Sequence, residues 1–318
     1  MKVLIADDSG LCRHIIRSAL EGWAYEVVEV CDGEQALQVL EAEDAPQVAI
    51  LDWYMPKMDG IEICQRLREK RAPYCYVILL TATTDRAGLI QGLQAGADDF
   101  LSKPFDPPEL EQRLRAGMRI IDLQDRLLKT QEELRIRATR DFLTNAWNRG
   151  AILEILDVEL DRSARESSST AIAMVDVDHF KQINDTYGHQ VGDFVLEELV
   201  RRMKSTLRSY DSIGRYGGEE FLIVQPNTTL CESAQLAERL RQDIAAKPMH
   251  AAGYSLDVRI SLGVSSLDGD DNARADSLIR VADIALYEAK ESGRNCVHAV
   301  PVKCMQDFLD PHQELVCP

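Results

Sequence analysis

The chain has 318 residues, 45% of them hydrophobic, with a formal net charge of −17 and a pI near 4.8. That length allows two ordinary domains with buried cores. The acidic balance disfavours nonspecific binding to DNA or anionic lipid, whose affinity comes from cationic contacts, so neither a nucleic-acid nor a membrane partner is expected.

In the first third, short apolar runs rich in β-branched residues alternate with helix-like segments: KVLIADD (2–8), YEVVEVC (25–31), VAILDW (48–53), YVILLTA (76–82) and DDFLSK (98–103). Such alternation predicts a parallel sheet covered on both faces, with its chemistry at the carboxyl ends of the strands. Polar residues fall at those ends. Asp7 and Asp8 close the first run, Asp52 the third, Thr81 the fourth and Lys103 the fifth, and all five are expected to converge in one crevice.

With the run LDWYMPKMDG after the acceptor position, residues 1–120 resemble the receiver domain of two-component response regulators. The resemblance implies a flavodoxin-like, doubly wound parallel-sheet fold, with Asp52 phosphorylated by a cognate histidine kinase and a cis peptide between Lys103 and Pro104. One Mg²⁺ would be held by Asp7, Asp8, the Asp52 carboxylate and the backbone carbonyl of Tyr54. A phosphoryl group adds about −1.5 to −2 charge. Thr81 and Lys103 would meet the new oxygens, and movement of Thr81 would let Phe100 turn inward as the switch.

Residues 107–140 form a charged, glycine-poor stretch opened by a proline pair, which predicts a long helical linker continuing the last receiver helix. Ile120, Leu127 and Leu134 recur every seven residues with Leu123 between them, while Thr130 and Arg137 interrupt the seam. The pattern suits a short coiled coil, a helix packed on the receiver, or a stalk whose imperfect seam makes pairing depend on receiver state, and the last is favoured.

Further on, the apolar run AIAMVDVDHF (171–180) ends in alternating carboxylates, and RYGGEEF (215–221) follows. Gly217 and Gly218 are expected to take the positive φ angles of a tight hairpin, placing Glu219 and Glu220 at its tip. If the strand carrying Asp176 lies beside that hairpin, Asp176 and Glu219 can converge on Mg²⁺. Asn184 and Asp193 lie downstream in HFKQINDTYGHQVGD. Lys290 and Arg294 come later in ADIALYEAKESGRN, where their i, i+4 spacing predicts one cationic helix face suited to a polyphosphate.

These separated segments, with the opening run DFLTNAWNRG (141–150), resemble the GGDEF family of diguanylate cyclases over residues 139–300. The resemblance implies an α+β palm-like nucleotidyl cyclase that joins two GTP into cyclic di-GMP and releases two pyrophosphates. It implies two Mg²⁺ per site on Asp176, Glu219 and the Val177 carbonyl, guanine recognition by Asn184 and Asp193 with Asp193 buried, and phosphate binding by Lys290 and Arg294. Phe180 and His179 join the substrate site, and Glu220 is catalytic, as general base or as a residue positioning the 3′-hydroxyl. One GTP per domain implies a homodimer or higher oligomer. Arg208 and Asp211, in RSYD upstream of the turn, resemble the family's product-inhibition site. The run departs from the usual pattern in reading NAWNR, and Glu219 stands where aspartate is common.

The expectation is a cytoplasmic, phosphorylation-regulated diguanylate cyclase with product feedback, because the amino terminus enters a strand directly and the longest apolar stretches are strand-sized. The alternatives are a catalytically silent sensor of GTP or cyclic di-GMP and a receiver-driven interaction scaffold. Eight cysteines without a CxxC or a histidine-linked cluster are read as reduced thiols, and residues 301–318 as a tail.

Overall fold

A computed structural model describes residues 1–69, 74–82, 86–267 and 274–302, with the side chains of 86–89 left aside. The sequence's tail therefore lies outside the described residues from 303 onward, as do Cys304 and Cys317. The remaining six cysteines are free thiols. The chain divides into two compact units, one running Met1–Glu132 and the other starting at Glu133. Among the described residues no helix is long and apolar enough to cross a membrane.

In the first unit the β-branched runs form β1 (Lys2–Ala6), β2 (Glu26–Val30), β3 (Val48–Asp52), β4 (Tyr76–Thr81) and β5 (Asp99–Ser102). They pair in parallel in the order β2-β1-β3-β4-β5. The helices α1 (Gly10–Gly22), α2 (Gly33–Leu40), α3 (Gly60–Glu69), α4 (Arg86–Gln94) and α5 (Pro107–Thr139) alternate with them. Successive strand side chains point to opposite faces. Leu4 and Ala6 accordingly join one core with Leu51 and Ile63, while Val3 and Ile5 join another with Ile16 and Leu114. Helix α5 begins at the proline pair, as predicted, and buries Leu110, Leu114, Gly117 and Ile121 at helical spacing. Ile120, Leu123, Leu127 and Leu134 stay exposed.

The second unit contains α6 (Arg149–Glu166), β6 (Thr170–Val177), α7 (Phe180–Tyr187), α8 (His189–Thr206), β7 (Ser212–Arg215), β8 (Glu220–Gln225), α9 (Leu230–Ala246), β9 (Met249–Ala251), β10 (Tyr254–Leu256), β11 (Ile260–Leu267), α10 (Ala275–Glu291) and β12 (Val297–Ala299). Its main sheet has the order β12-β11-β6-β8-β7, with β9 and β10 forming a separate hairpin. Strand β6 is central, antiparallel to both β8 and β11, and every one of its residues is buried. Ala173, Val175 and Val177 face the core beneath α8 and α9, whereas Ile172 and Met174 face the core formed with α10. Alternation therefore sets Asp176 on the α10 face. At Gly263 of β11 an added Cβ would lie 2.1 Å from the Ala282 carbonyl oxygen and 2.2 Å from Leu286 N, so only glycine lets α10 pack this closely on the sheet.

Candidate active site and phosphorylation pocket

In the first unit the strand ends bring the expected residues together. Carboxylate oxygens of Asp7, Asp8 and Asp52 all lie within 4.8 Å of one another. Lys103 Nζ closes the group, 2.8 Å from Asp7 Oδ2 and 2.8 Å from Asp52 Oδ1. Its backbone N–H donates to the Thr81 carbonyl at 2.7 Å, and the peptide between Lys103 and Pro104 is cis. Burial pushes the Asp52 carboxyl upward, and Lys103 opposes it. Three carboxylates sharing a partly dry pocket with one ammonium fit a hard divalent cation. Phe100 is half-buried against the core, with the Arg113 guanidinium 5.5 Å from its ring centre.

In the second unit the apolar run of β6 delivers Asp176 to the sheet end, directly opposite Glu220 of β8. The expected hairpin is present, since Tyr216 and Gly217 N–H both donate to the Glu220 carbonyl at 2.8 and 3.2 Å. Its geometry differs from expectation. Gly217 and Gly218 are not among the positive-φ residues, and Glu220 is the first residue of β8 rather than a tip residue. What Gly217 supplies is room, because a Cβ there would lie 2.5 Å from Glu220 Oε2. The turn is held from outside by Arg215, whose Nε donates to the Gly218 carbonyl at 3.0 Å while Nη1 meets Asp141 at 3.2 Å. Asp141 belongs to the opening segment, and its carboxyl is held low by Thr144 and Arg215 against the upward push of burial.

Lys290 Nζ lies 2.8 Å from Asp176 Oδ2. Even so, burial holds the Asp176 carboxyl above the usual range, with Glu220 and Asp178 adding to the rise. Glu219, half-buried, is raised by burial first and by Asp176 second. Crowded, desolvated carboxylates of this kind suit a hard divalent cation, although among the described residues the group of three acidic side chains within 4.8 Å of one another is the receiver's Asp7, Asp8 and Asp52. Glu219's own carbonyl accepts from Val177 N–H at 3.4 Å, which fastens the turn to the strand.

The expectation of a single cationic helix face is overturned. Helix α10 ends at Glu291, and Gly293, Arg294 and Asn295 follow in the left-handed region with φ of 107°, 62° and 46°. Glycine at 293 breaks the helix before Arg294 is reached. Arg294 instead lines a cavity of 570 Å³ together with Asp178 and His179. His179, at φ 57°, precedes α7 without capping it through its side chain. Phe180 is only 7% exposed and its ring packs in the core rather than in the cavity.

Asn184 approaches the next helix closely, since a Cβ on Gly192 would fall 1.9 Å from its Oδ1. Asp193, adjacent to that glycine, is exposed rather than buried because its helix turns it outward at the start of α8. In the RSYD segment the Asp211 Oδ2 accepts the Arg208 backbone N–H at 2.9 Å, and the guanidinium turns to the Tyr210 hydroxyl at 3.0 Å. Asp211 Oδ1 is buried without a hydrogen-bond partner, and burial raises its carboxyl.

Two residues escaped sequence reasoning. Asp283, one turn above Tyr287 on α10, feels both Glu220 and Lys290 and is raised chiefly by burial. Asp178 is buried and accepts from Ser261 Oγ and from Asn295 N–H. Only its place in the alternating DVD run signalled it.

A parallel α/β unit with a lysine-closed acidic pocket, followed by a mixed-sheet unit with a carboxylate hairpin beside a buried aspartate, defines the class of receiver-linked nucleotide cyclases. Comparison with known proteins agrees. The response regulator receiver domain pattern matches residues 3–115, and the pattern described as diguanylate cyclase, GGDEF domain matches residues 138–296. The chain belongs to the GGDEF family and carries a receiver domain ahead of it. It is 34% identical over 300 residues to the response regulator PleD of Caulobacter vibrioides, covering 93% of this chain and 65% of that protein. Diguanylate cyclase DgcP of Pseudomonas aeruginosa is 37% identical over 211 residues, which is 65% of this chain and 31% of DgcP. The coiled coil and GGDEF domain of DgcB from Caulobacter crescentus, solved in complex with c-di-GMP, is 30% identical and superposes with a TM-score of 0.54, covering 60% of this chain and 99% of that one.

Proposed function

We propose that the second unit condenses two GTP into cyclic di-GMP and that the receiver controls it through phosphorylation of Asp52. The observation that carries this reading is the convergence of Asp176, Glu219, Glu220 and Lys290 at one end of the sheet. In the reaction the 3′-oxygen of one GTP bonds to the α-phosphorus of the other, the bond to the β-phosphate oxygen breaks, and pyrophosphate leaves with those electrons. Done twice, this closes the ring. Asp176, Glu219 and the Val177 carbonyl would hold Mg²⁺, which would supply charge neutralisation at the α-phosphate and lower the pKa of the attacking hydroxyl. Glu220, opposite Asp176 in register, stands where it can take the 3′-hydroxyl proton or orient that hydroxyl.

The chain's own residues do the positioning. Lys290, 2.8 Å from Asp176 Oδ2, offers its ammonium to a phosphate oxygen at the same sheet end. Arg294 and the backbone N–H groups opening α7 offer further phosphate contacts. Asn184 and Asp193 present acceptors and a donor to the guanine edge. Because each unit brings one GTP, two units must face each other about a twofold axis, and a homodimer is the active species. The exposed Arg208 guanidinium, held at 3.0 Å by the Tyr210 hydroxyl, is the group that can meet guanine N7/O6 or a phosphate of the product, which supports feedback inhibition, while Asp211 fastens the segment through the Arg208 backbone N–H. The proposed donor to Asp52 is a histidine kinase.

The test is Mg²⁺-dependent conversion of GTP by purified protein, following cyclic di-GMP and pyrophosphate by chromatography. Product with chelator-sensitive turnover supports the reading. GTP binding without any product would turn the unit into a sensor. Arg208→Ala should raise the cyclic di-GMP concentration that halves turnover by about tenfold, the effect of losing one charge-assisted contact. An unchanged inhibition constant would remove RSYD from feedback.

A further inference from the structure

The turn that carries Arg294 holds that arginine in a left-handed conformation, between a glycine and an asparagine that tolerate it. Three consecutive positions, Gly293, Arg294 and Asn295, have positive φ, and left-handed backbone is disfavoured for arginine by contact of its Cβ with the neighbouring carbonyl. Such a turn persists only when its surroundings fix it. The fixing group is Asp178. Its carboxylate is buried at the end of β6, with Oδ2 accepting Asn295 N–H at 2.9 Å and Oδ1 accepting the hydroxyl of wholly buried Ser261 at 2.7 Å. Asp178 N–H in turn donates to the Arg259 carbonyl at 3.0 Å, so the anchor is itself tied to the strand edge. On the other side Asn295 Oδ1 accepts from Arg241 Nη1 at 3.0 Å. Arg294 N–H donates to the Ala289 carbonyl at 3.2 Å, setting the turn's start on α10.

We propose that Asp178 is a positioning residue that locks the Gly293–Asn295 turn so that Arg294 stands over the cavity it shares with His179, ready for the phosphates of a nucleoside triphosphate. The assignment rests on the cyclase reading only for the identity of the phosphate ligand. Asp178 lines the same cavity, but both of its carboxylate oxygens are taken by Ser261 Oγ and Asn295 N–H, so in this scheme it holds the turn rather than the phosphates. It acts through one backbone hydrogen bond, and the alternation of the DVD run follows from the roles: Asp176 turns to the α10 face and the metal site, while Asp178, two residues on, reaches the turn after α10.

The experiment compares GTP affinity, by calorimetry in Mg²⁺, for the wild-type chain and for the Asp178→Ala, Arg294→Ala and doubly substituted chains. Amide hydrogen exchange at Asn295 is measured in parallel without nucleotide. Asp178→Ala should weaken GTP by about tenfold, the scale of one charge-assisted hydrogen bond, and should unprotect the Asn295 amide. In the Arg294→Ala background the same change should cost nothing further, because the lost contact is already gone. Asp178→Asn, whose amide can accept from Asn295 and donate to Ser261 Oγ, should restore wild-type affinity. Ser261→Ala, a milder change, covers the case in which Asp178→Ala does not fold, and should shift affinity and exchange in the same direction by less. Losses that add in the double variant, or Asp178→Ala and Ser261→Ala chains that keep wild-type affinity while Arg294→Ala does not, would overturn the proposal. GTP binding without turnover leaves it standing while removing the cyclase reading, and Asn295 protection that ignores both substitutions removes it whatever the enzyme does.

Discussion

Glu219 stands where burial and Asp176 disfavour its charge and Lys290 only partly offsets them. Its carboxyl is raised by burial and then by Asp176. A carboxylate with a raised folded pKa contributes fully to stability below its unfolded value, and that contribution is lost as pH climbs through the folded value, so at neutral pH ionised Glu219 opposes folding. Glu219→Gln should therefore leave the melting temperature in chelator unchanged or higher. It should also lose the increase that Mg²⁺ gives the wild type, with turnover falling about a hundredfold or more, as when one preorganised electrostatic contact is removed. A melting temperature that drops in chelator would mean Glu219 is structural. At this scale the sequence was readable where chemistry and hydropathy changed together, as at Asp7, Asp52 and Asp176, each closing a buried apolar run. It misled at Arg294, because i, i+4 spacing looks the same whether the helix continues or a glycine between the two residues ends it. It was silent on Lys290 meeting Asp176 and on Asp178, since both contacts join segments more than a hundred residues apart.

Helix α5 leaves Ile120, Leu123, Leu127, Leu128, Leu134 and Ile136 exposed. Leu127 is 57% and Leu134 58% exposed, on the heptad positions with Ile120 and Leu123. A second copy of the helix would cover them, and each buried leucine is worth at most about 1.5–3 kcal/mol. Leu127→Glu together with Leu134→Glu should barely touch the stability of the single chain, since glutamate forms helix about as well as leucine and both sites face solvent. Turnover at dilute protein should fall and recover as protein concentration rises, with sedimentation showing a weaker dimer. Full activity and an unchanged dimer would place assembly elsewhere. The helix itself was legible, from its proline pair and a charged stretch with one glycine, Gly117, as were the five receiver strands with their β-branched residues. The short strands β9, β10 and β12 were not, because three residues are too few for alternation to register and their pairing is decided by packing.

For the molecule as a whole the question is how one phosphoryl group could govern a reaction catalysed by another unit. The pocket around Asp52 sets the carboxylates of Asp7, Asp8 and Asp52 against Lys103, which is ion-paired to Asp7 and Asp52. On the proposed reading, phosphorylation of Asp52 would add about −1.5 to −2 charge there and would draw Lys103 and the Thr81 hydroxyl onto the new oxygens. Taking a population from about 1:99 to 99:1 needs roughly 5.5 kcal/mol of differential stabilisation. One pocket is hard pressed to supply it, but two pockets acting on one dimer share the demand. The prediction is that beryllofluoride, which mimics the phosphoryl group on aspartate, raises both turnover and the dimer fraction of the wild-type chain in Mg²⁺. Asp52→Asn should abolish both rises together. A rise in turnover without a change in dimer fraction would assign control to a rearrangement within a standing dimer, and a response that survives Asp52→Asn would take phosphorylation at this aspartate out of the mechanism.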